Sequence, residues 1–444
     1  MSNVALLKFK SKFSKESLSV IVIKSIGLLL KFGLAVLLAR YLGPEKYGIF
    51  SITMSILVIL SIPIQAGLPS FIVRKISKFR AYNDANSCNE LVNSTIKKIF
   101  IYLIVLSIPY FLVLKFGNFD KYQDILKMGI IFILLSSLVV LFSSVLRGMG
   151  RNIAGIVSEE LIKPGLTLLF LFLFVTIYSV NMIGSYEAFS FYILAIFFAL
   201  LFSWSIVKKF SSQRLKDNFQ LKPYKIKNKE VLYIFTIIGG IQLLQGNLDV
   251  VAIGFLLNEG EAGIYKIVIQ LSNLVVFGLT AINQLLQPKF SELYEMKNNT
   301  ALQELVYYSS TMIFILGLLA TIIFIVFGEY IIEILFGESY ISGISSLTIL
   351  VLAQLINVVF GSVAALLNMT GNERLTMKIL IISLLINIIL DLILIPIYGI
   401  EGAAIANAIS LIVWNVKLTT YVTNKLGIYS SRIVYLMYVI KKIL

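Results

Sequence analysis

Residues 18–39 read LSVIVIKSIGLLLKFGLAVLLA, and after the polar link RYLGPEKY a second apolar run, GIFSITMSILVILSIPIQAGL, covers residues 48–68. Each run is long enough to cross the hydrocarbon core of a bilayer as a helix, which takes about 20 residues. Neither run alternates between apolar and polar residues as the strands of a membrane barrel do. The two runs therefore predict a pair of transmembrane helices joined by a tight turn.

The same pattern recurs along all 444 residues, of which 58% are hydrophobic and only 14% are charged, with a mean hydropathy of +0.92. A soluble domain of this size does not carry so much apolar surface. We therefore predict an all-α membrane protein of about twelve transmembrane helices. The predicted spans are 18–39, 48–68, 97–115, 127–146, 162–180, 187–207, 231–257, 263–288, 306–327, 341–367, 377–398 and 402–423.

The basic residues are distributed unevenly around these spans. Of the 38 Lys and Arg residues, 29 lie on the side of the membrane that holds both termini and the even-numbered loops, six lie on the other side, and three lie inside spans. Because loops rich in Lys and Arg stay in the cytoplasm, both termini are predicted to be cytoplasmic. The net charge of +15 then reflects membrane topology and contact with anionic lipids, and no nucleic-acid partner is expected.

The longest polar connection divides the spans into two groups of six. The predicted segments are a basic cytoplasmic N-terminal segment at 1–16, an N-lobe at 17–207, a cytoplasmic linker at 208–230, a C-lobe at 231–424, and an amphipathic C-terminal tail at 425–444. We expect the tail to lie on the inner surface of the membrane.

Two motifs occur once in each lobe. Residues 42–50 correspond to 257–265, and residues 146–152 correspond to 367–373, at offsets of 215 and 221 residues. Six helices offset by six keep the same direction through the membrane, so these matches predict two pseudo-symmetric lobes. Two similar lobes suit transport by alternating access.

The chain has no histidine and a single cysteine, Cys88. No disulfide within the chain is possible, and the commonest general base and metal ligand is absent from the sequence. We therefore expect a protein that is not an enzyme and holds no resident cofactor.

One motif resembles that of a known family. Residues 37–48, LLARYLGPEKYG, resemble the A-R-x-L-G-x-x-x-Y-G signature of Wzx-type polysaccharide flippases. These belong to the multidrug/oligosaccharidyl-lipid/polysaccharide (MOP) exporter superfamily, which also contains the lipid II flippase and the multidrug and toxin extruders (MATE). Residues 146–151 and 398–404 give further matches, and the resemblance covers essentially the whole chain.

This resemblance implies a MATE-like fold and a specific task. The protein would move undecaprenyl-pyrophosphate-linked oligosaccharide repeat units to the outer leaflet of the bacterial cytoplasmic (inner) membrane. The units would serve the assembly of O-antigen (lipopolysaccharide), capsule or exopolysaccharide. Membrane lipids, a polysaccharide polymerase and a chain-length regulator are the expected partners.

Basic residues are the candidate ligands of the pyrophosphate or of an anionic glycan. Lys24 and Lys31 lie seven residues apart on one face of the first span, and Lys31 is roughly 12 Å of helix from its outer end. Ionisable groups at such depth are costly and mark functional sites. With Arg40, Arg147 and Arg151 near the two mouths, we predict that they bind the substrate anion. For Lys24 and Lys31 the alternative is that the side chain snorkels to the interface. For Arg147 and Arg151 the alternative is that they set topology or contact lipid heads.

Four oxygen-bearing side chains of the C-lobe lie at similar depth: Asp249 in span seven, Asn387 and Asp391 in span eleven, and Asn407 in span twelve. Such a set suits Na⁺ or, through a carboxylate, a proton. In the lipid II flippase the resembling positions form a sodium site, although the position of Asn407 is a threonine there. We predict a coupling-ion site for Na⁺ or H⁺. The alternative is that these groups satisfy one another between helices without moving an ion.

Three other functions remain open. A multidrug-type small-molecule or cation antiporter of the same fold is the nearest, but a pump for cationic drugs would need acidic rather than basic residues in the first lobe. A polysaccharide polymerase or ligase would need a large outer loop with catalytic groups, whereas the predicted outer loops have about a dozen residues or fewer. A lipid scramblase would need no coupling ion.

Overall fold

The computed structural model describes residues 15–81, 84–117, 119–178, 183–214 and 229–443, and all the regular structure in these ranges is helical. Residues 1–14 of the predicted N-terminal segment and 215–228 of the predicted linker lie outside the described residues. The helices, numbered along the chain, are α1 Lys15–Gln65, α2 Leu68–Ala81, α3 Ala85–Phe116, α4 Gln123–Lys127, α5 Gly129–Gly148, α6 Asn152–Val157, α7 Lys163–Tyr178, α8 Ser185–Arg214, α9 Lys229–Gln245, α10 Leu248–Leu256, α11 Glu259–Ser272, α12 Phe277–Glu295, α13 Asn299–Phe336, α14 Ile344–Phe360, α15 Val363–Met369, α16 Glu373–Tyr421 and α17 Arg432–Ile443.

The chain is a multi-pass membrane protein. Within the described residues, nine helices are long and apolar enough to cross a membrane, and the pair Glu259–Ser272 and Phe277–Asn283, bent by 55°, would make a tenth span. Two of the nine, Val22–Ser77 and Glu373–Leu426, have 56 and 54 residues, enough for two crossings each. The count is compatible with twelve spans. Twelve spans with cytoplasmic termini stay a prediction.

A glycine interrupts each of the two longest helices. Within α1, Gly43 has φ 71°, and within α16, Gly399 has φ 62°. This left-handed region is open to glycine without the strain that a side chain would bring. The breaks fall at the links predicted between spans one and two and between spans eleven and twelve.

Apolar side chains cover the outside of the molecule and polar ones fill parts of its interior. On α13, Leu319 and Val326 are 54% and 63% exposed, whereas Asp249 and Asp391 are each 1% exposed. A soluble protein shows the opposite distribution. Lipid tails are as apolar as leucine, so such a surface is stable only in a membrane.

The described helices form two compact units. Unit 1 comprises Met1–Leu42 and Ile56–Thr236, and within it α5 packs against α2, α3, α6 and α8. Unit 2 comprises Gly43–Ser55 and Ile237–Leu444, and within it α14 packs against α11, α13 and α16. The short segment 43–55, which was predicted to be part of the N-lobe, therefore groups with unit 2.

Glycine contacts explain why this segment belongs to unit 2. A Cβ atom on Gly48 would lie 1.7 Å from the carbonyl oxygen of Glu259, and one on Gly263 would lie 2.2 Å from the carbonyl oxygen of Pro44. Only glycine therefore fits at both positions without a backbone shift. Gly48 and Gly263 are equivalent residues of the first repeated motif, 215 positions apart. The two copies of that motif thus pack directly against each other.

The second repeated motif ends a helix in the same way in both copies. Gly150 and Gly371 have φ angles of 78° and 75°. In each copy the N–H of the next residue donates to the carbonyl oxygen five residues earlier, at 2.8 and 2.9 Å. This bond and the left-handed glycine are those of a common C-terminal helix cap. The sequence match therefore corresponds to matched backbone geometry.

The C-terminal tail is anchored to unit 2. Gln303 of α13 donates from Nε2 to the carbonyl oxygen of Tyr429 and accepts from its N–H, both at 2.8 Å. Ser430 and Ser431 are buried, and α17 packs against α13 and α14. The placement of the tail on the inner membrane surface stays a prediction.

Candidate functional site

Three of the predicted cationic residues come together in unit 1. Lys24 and Lys31 belong to α1, and Arg147 lies in the last turn of α5. Lys24 is within electrostatic reach of the other two and of two carboxylates, Glu159 and Glu160. The group of five, here called the basic cluster, has three positive and two negative side chains and so keeps a net positive charge.

Each carboxylate of the basic cluster pairs with one of the cations. Lys31 Nζ lies 2.5 Å from Glu160 Oε2, and Arg147 Nη2 lies 3.7 Å from Glu159 Oε1. Ser143 donates its hydroxyl to the same Glu159 carboxylate. The Lys31 side chain is 52% exposed, and its carboxylate partner was not predicted. That Lys31 faces a wet cavity stays a prediction. Both glutamates precede residue 162, where predicted span five begins, so the sequence provided no reason to single them out.

A π-helical turn, Ser158–Ile162, carries both glutamates. Such turns are rare, and many of those that are known lie at functional sites. Glycine brings the neighbouring helices close to this turn: a Cβ on Gly27 would lie 2.7 Å from the carbonyl oxygen of Glu160, and one on Gly155 would lie 2.8 Å from Arg147 Cγ. These glycines thus let the neighbouring helices pack closely around the basic cluster.

The other two predicted cations lie further along the chain. Arg40 is exposed and nine residues beyond Lys31, about 13 Å along the helix. Arg151 is exposed just before α6, four residues after Arg147. Both have contacts with neighbouring residues. Their role as substrate ligands stays a prediction.

The four predicted coupling-ion residues meet inside unit 2, on α10 and α16. Asn407 donates from Nδ2 to Asp249 Oδ2 at 2.9 Å. Asp391 and Asn387 lie within electrostatic reach of the same Asp249 carboxyl group. We call this group the acid cluster. Its position depends on a break in predicted span seven, because α10 begins anew at Leu248 and places Asp249 in its first turn.

Two further residues of α11 belong to the surroundings of the acid cluster. Tyr265, which is fully buried, donates its hydroxyl to Asp249 Oδ2 at 3.2 Å. The sequence held no signal for it, because it is one of 22 tyrosines. Lys266 is within electrostatic reach of Asp249 but, within the described residues, donates no hydrogen bond to either carboxylate.

Several polar atoms of the acid cluster are buried without a partner. Asp249 Oδ1, both carboxylate oxygens of Asp391 and Asn387 Nδ2 make no hydrogen bond to any described residue. Two facing carboxylates removed from water cannot both stay charged and unpaired. The cluster therefore needs a proton or a bound cation. Its ligands are all oxygen atoms, which favour hard cations, and within the described residues no group of three or more His, Cys, Asp or Glu side chains could hold a metal ion.

Comparisons of the sequence agree with this architecture. Residues 13–294 match the family model described as polysaccharide biosynthesis protein, and residues 240–393 match a second model, MatE. A probable low-salt glycan biosynthesis flippase of Haloferax volcanii, Agl15, is 26% identical over 433 residues, covering 94% of this chain and 84% of that protein. The capsular polysaccharide biosynthesis protein CapF of Staphylococcus aureus is 25% identical over 405 residues, covering 87% and 93%.

A solved structure shows the same fold. An inward-facing multidrug resistance MATE transporter of the MOP superfamily superimposes with a TM-score of 0.70 at 12% identity, covering 93% of this chain and 98% of that one. The likeness supports the predicted MATE-like, all-helical fold.

Proposed function

This chain belongs to the polysaccharide biosynthesis protein family, and from that premise we propose that it translocates undecaprenyl-pyrophosphate-linked oligosaccharides across the cytoplasmic membrane. The coarser function is that of a MOP flippase in glycan or polysaccharide biosynthesis, in keeping with the names of its relatives. The lipid-linked substrate, the direction toward the outer leaflet and the coupling to a cation are the finer parts of the proposal. Transport of this kind needs no catalytic residue.

The basic cluster is the observation that carries the proposal. A pyrophosphate that leaves water loses its hydration, and fixed cations offset that loss through charge-assisted hydrogen bonds. Lys24, Lys31 and Arg147 are such cations on membrane helices. A drug cation would be repelled by the same net charge.

The two glutamates supply the second half of the mechanism. In the structure Glu160 holds Lys31 and Glu159 holds Arg147. A pyrophosphate with its several anionic oxygens displaces these carboxylates on binding, and they return to the cations when it leaves. Lys31 and Arg147 therefore never remain unpaired, which keeps the empty carrier stable enough to reset.

The acid cluster supplies the proposed coupling ion. Asp249 and Asp391 carry two negative charges, and Lys266 offsets part of that charge from a distance. One monovalent cation, Na⁺ or H⁺, would neutralise the remainder. Asn387 would add an amide oxygen to the carboxylates, and Asn407 fixes Asp249 through its Nδ2 hydrogen bond. Such a set of hard oxygen donors fits Na⁺.

Translocation in proteoliposomes tests the proposed function. The substrate is an undecaprenyl-pyrophosphate-linked sugar, and the readout is the fraction of it that becomes accessible from outside. We expect Lys31→Ala to slow translocation about tenfold or more, because hydrogen bonds to charged groups contribute roughly 1.5–3 kcal/mol. Lys127→Ala is the matched control, since Lys127 is also an exposed lysine of unit 1, and it pairs with Asp124 at 3.3 Å. A wild-type protein that moves no lipid-linked sugar would refute the function, and an unimpaired Lys31→Ala protein would refute the basic cluster as its carrier.

A further inference from the structure

Unit 2 contains a cavity of about 210 Å³ beside the acid cluster. Two helix breaks create it: the turn between α9 and α10 contributes Gly246, and the bend between α11 and α12 contributes Ser272 and Asn273. Where a helix is interrupted, small and polar residues take the place of a packed apolar turn. The cavity is thus a consequence of the same breaks that place Asp249.

The lining of this cavity is uncharged and mixes polar with apolar side chains. Three aliphatic residues line part of it, three serines add hydroxyl groups, and among the described residues no Asp, Glu, Lys or Arg lines it. Its amide side chains are Gln245, Asn273, Gln354, Asn387 and Asn407. Amides and hydroxyls offer both hydrogen-bond donors and acceptors at short intervals. Such a lining selects a neutral ligand that carries many hydroxyl or amide groups.

Trp414 adds an aromatic surface to the cavity. An indole ring has a broad apolar face, which matches the C–H face of a pyranose ring, while the amides reach the hydroxyls at its edge. The volume is below the roughly 300–1,000 Å³ of pockets for drug-sized ligands and fits a single sugar ring.

One buried atom indicates that the lining is incomplete. Asn387 is 1% exposed, and its Nδ2 has no hydrogen-bond partner among the described residues. A buried amide nitrogen without a partner is unfavourable by about 1–3 kcal/mol. A ligand with an acceptor oxygen in the cavity would satisfy it.

We propose that this cavity is a subsite for one neutral sugar ring of the transported glycan, shared through Asn387 and Asn407 with the acid cluster. The inference rests on the proposed function and adds a second contact with the same substrate. This contact is with a neutral sugar ring, whereas the basic cluster binds the charged pyrophosphate. Asn387 and Asn407 line the cavity and also belong to the acid cluster. A sugar oxygen that accepts from Asn387 Nδ2 would leave the amide oxygen of Asn387 for a cation at the two carboxylates, while Asn407 donates to Asp249 Oδ2 at 2.9 Å. Cation and sugar therefore bind more tightly together than apart.

The two tryptophans of the chain, Trp204 and Trp414, make the test direct. Trp204→Phe removes the tryptophan that does not line the cavity, so Trp414 is the only indole left in the chain. The purified full-length variant in detergent is titrated with methyl glucoside, methyl galactoside and methyl N-acetylglucosaminide, each in sodium chloride and in choline chloride of equal ionic strength. We expect a saturable change in Trp414 fluorescence with at least one glycoside. Sodium should lower the Kd of the glycoside about 2- to 10-fold, which corresponds to the free energy of one net hydrogen bond.

A second pair of variants separates binding from folding. Gln354→Leu, made in the Trp204→Phe background, removes one lining amide at similar volume and should weaken the glycoside about tenfold. Thr348→Val on the same helix removes a hydroxyl that bonds to Ile344 and should leave binding unchanged. Thermal melting of both variants confirms their fold.

The outcomes distinguish the subsite from the function. If no glycoside gives a saturable signal up to its solubility limit, or if Gln354→Leu binds as the control does, the sugar subsite is wrong. That result leaves lipid-linked sugar transport in proteoliposomes untouched. If glycosides bind Trp414 as expected but no lipid-linked sugar is moved, the subsite stands and the proposed translocation fails.

Discussion

The buried acid pair of unit 2 leads to a prediction about sodium and stability. Three carboxylate oxygens of Asp249 and Asp391 have no partner among the described residues, so a bound Na⁺ would stabilise the folded state. At 100 times its Kd a ligand contributes about 2.7 kcal/mol. Unit 2 has about 220 residues, a size at which 1 kcal/mol shifts Tm by roughly 2–4 °C. We therefore expect saturating Na⁺ to raise Tm by about 5–10 °C, and by less than about 1 °C in Asp391→Asn.

The assay is thermal melting of the purified protein in detergent, with sodium chloride replaced stepwise by choline chloride at constant ionic strength. Glu292→Gln is the matched control, because Glu292 is an exposed carboxylate of unit 2 that pairs with Lys289 at 2.7 Å, and it should keep the full response. An undiminished sodium response in Asp391→Asn would refute Asp391 as a ligand. A wild-type Tm that does not respond to sodium would refute the sodium site and leave a proton as the ion that neutralises the pair.

Two further predictions concern packing and the basic cluster. Gly263→Ala should lower the stability of the folded protein by about 1–3 kcal/mol, because its Cβ would lie 2.2 Å from the carbonyl oxygen of Pro44, and melting checks this. Gly165→Ala is its control: the new Cβ meets only a side-chain carbon of Leu30 at 3.6 Å, so Tm should stay level or rise. Glu160→Gln removes the carboxylate that holds Lys31, so inorganic pyrophosphate should bind several-fold more tightly in calorimetry, whereas unchanged affinity would contradict the exchange mechanism.

Hydrophobic length and glycine content made most of the fold predictable. Apolar runs determine helix existence, and the breaks at Gly43 and Gly399 fall where polar or glycine-containing links were read between spans. The break at 246–247 was not predicted, because this polar turn lies inside the segment 231–257, which is long enough to be read as one transmembrane span. The grouping of residues 43–55 with unit 2 depends on a contact between positions more than 200 residues apart, which no local pattern reveals.

The candidate sites were predictable to the extent that charge inside a membrane span is rare. Lys24, Lys31, Asp249 and Asp391 were found on that ground. Asn387 and Asn407 were found with them, but Glu159, Glu160 and Tyr265 were not, because glutamates near a span end look like loop residues and a buried tyrosine looks like core. Partner residues depend on three-dimensional proximity, whereas the cost of burying a charge can be read from the sequence alone.

The two repeats share the same glycine-dependent backbone geometry, but the polar clusters of the two units differ in charge. Gly150 and Gly371 cap equivalent helices with the same geometry, yet the cluster of unit 1 has a positive excess and that of unit 2 has two facing carboxylates. Glycine positions are constrained by backbone approach, which both copies of a fold share. Polar side chains are constrained only by what they bind. The charges of the two clusters are therefore expected to differ if unit 1 binds an anionic group and unit 2 binds a cation. If the polar residues only packed against one another, nothing would favour opposite charges in the two units.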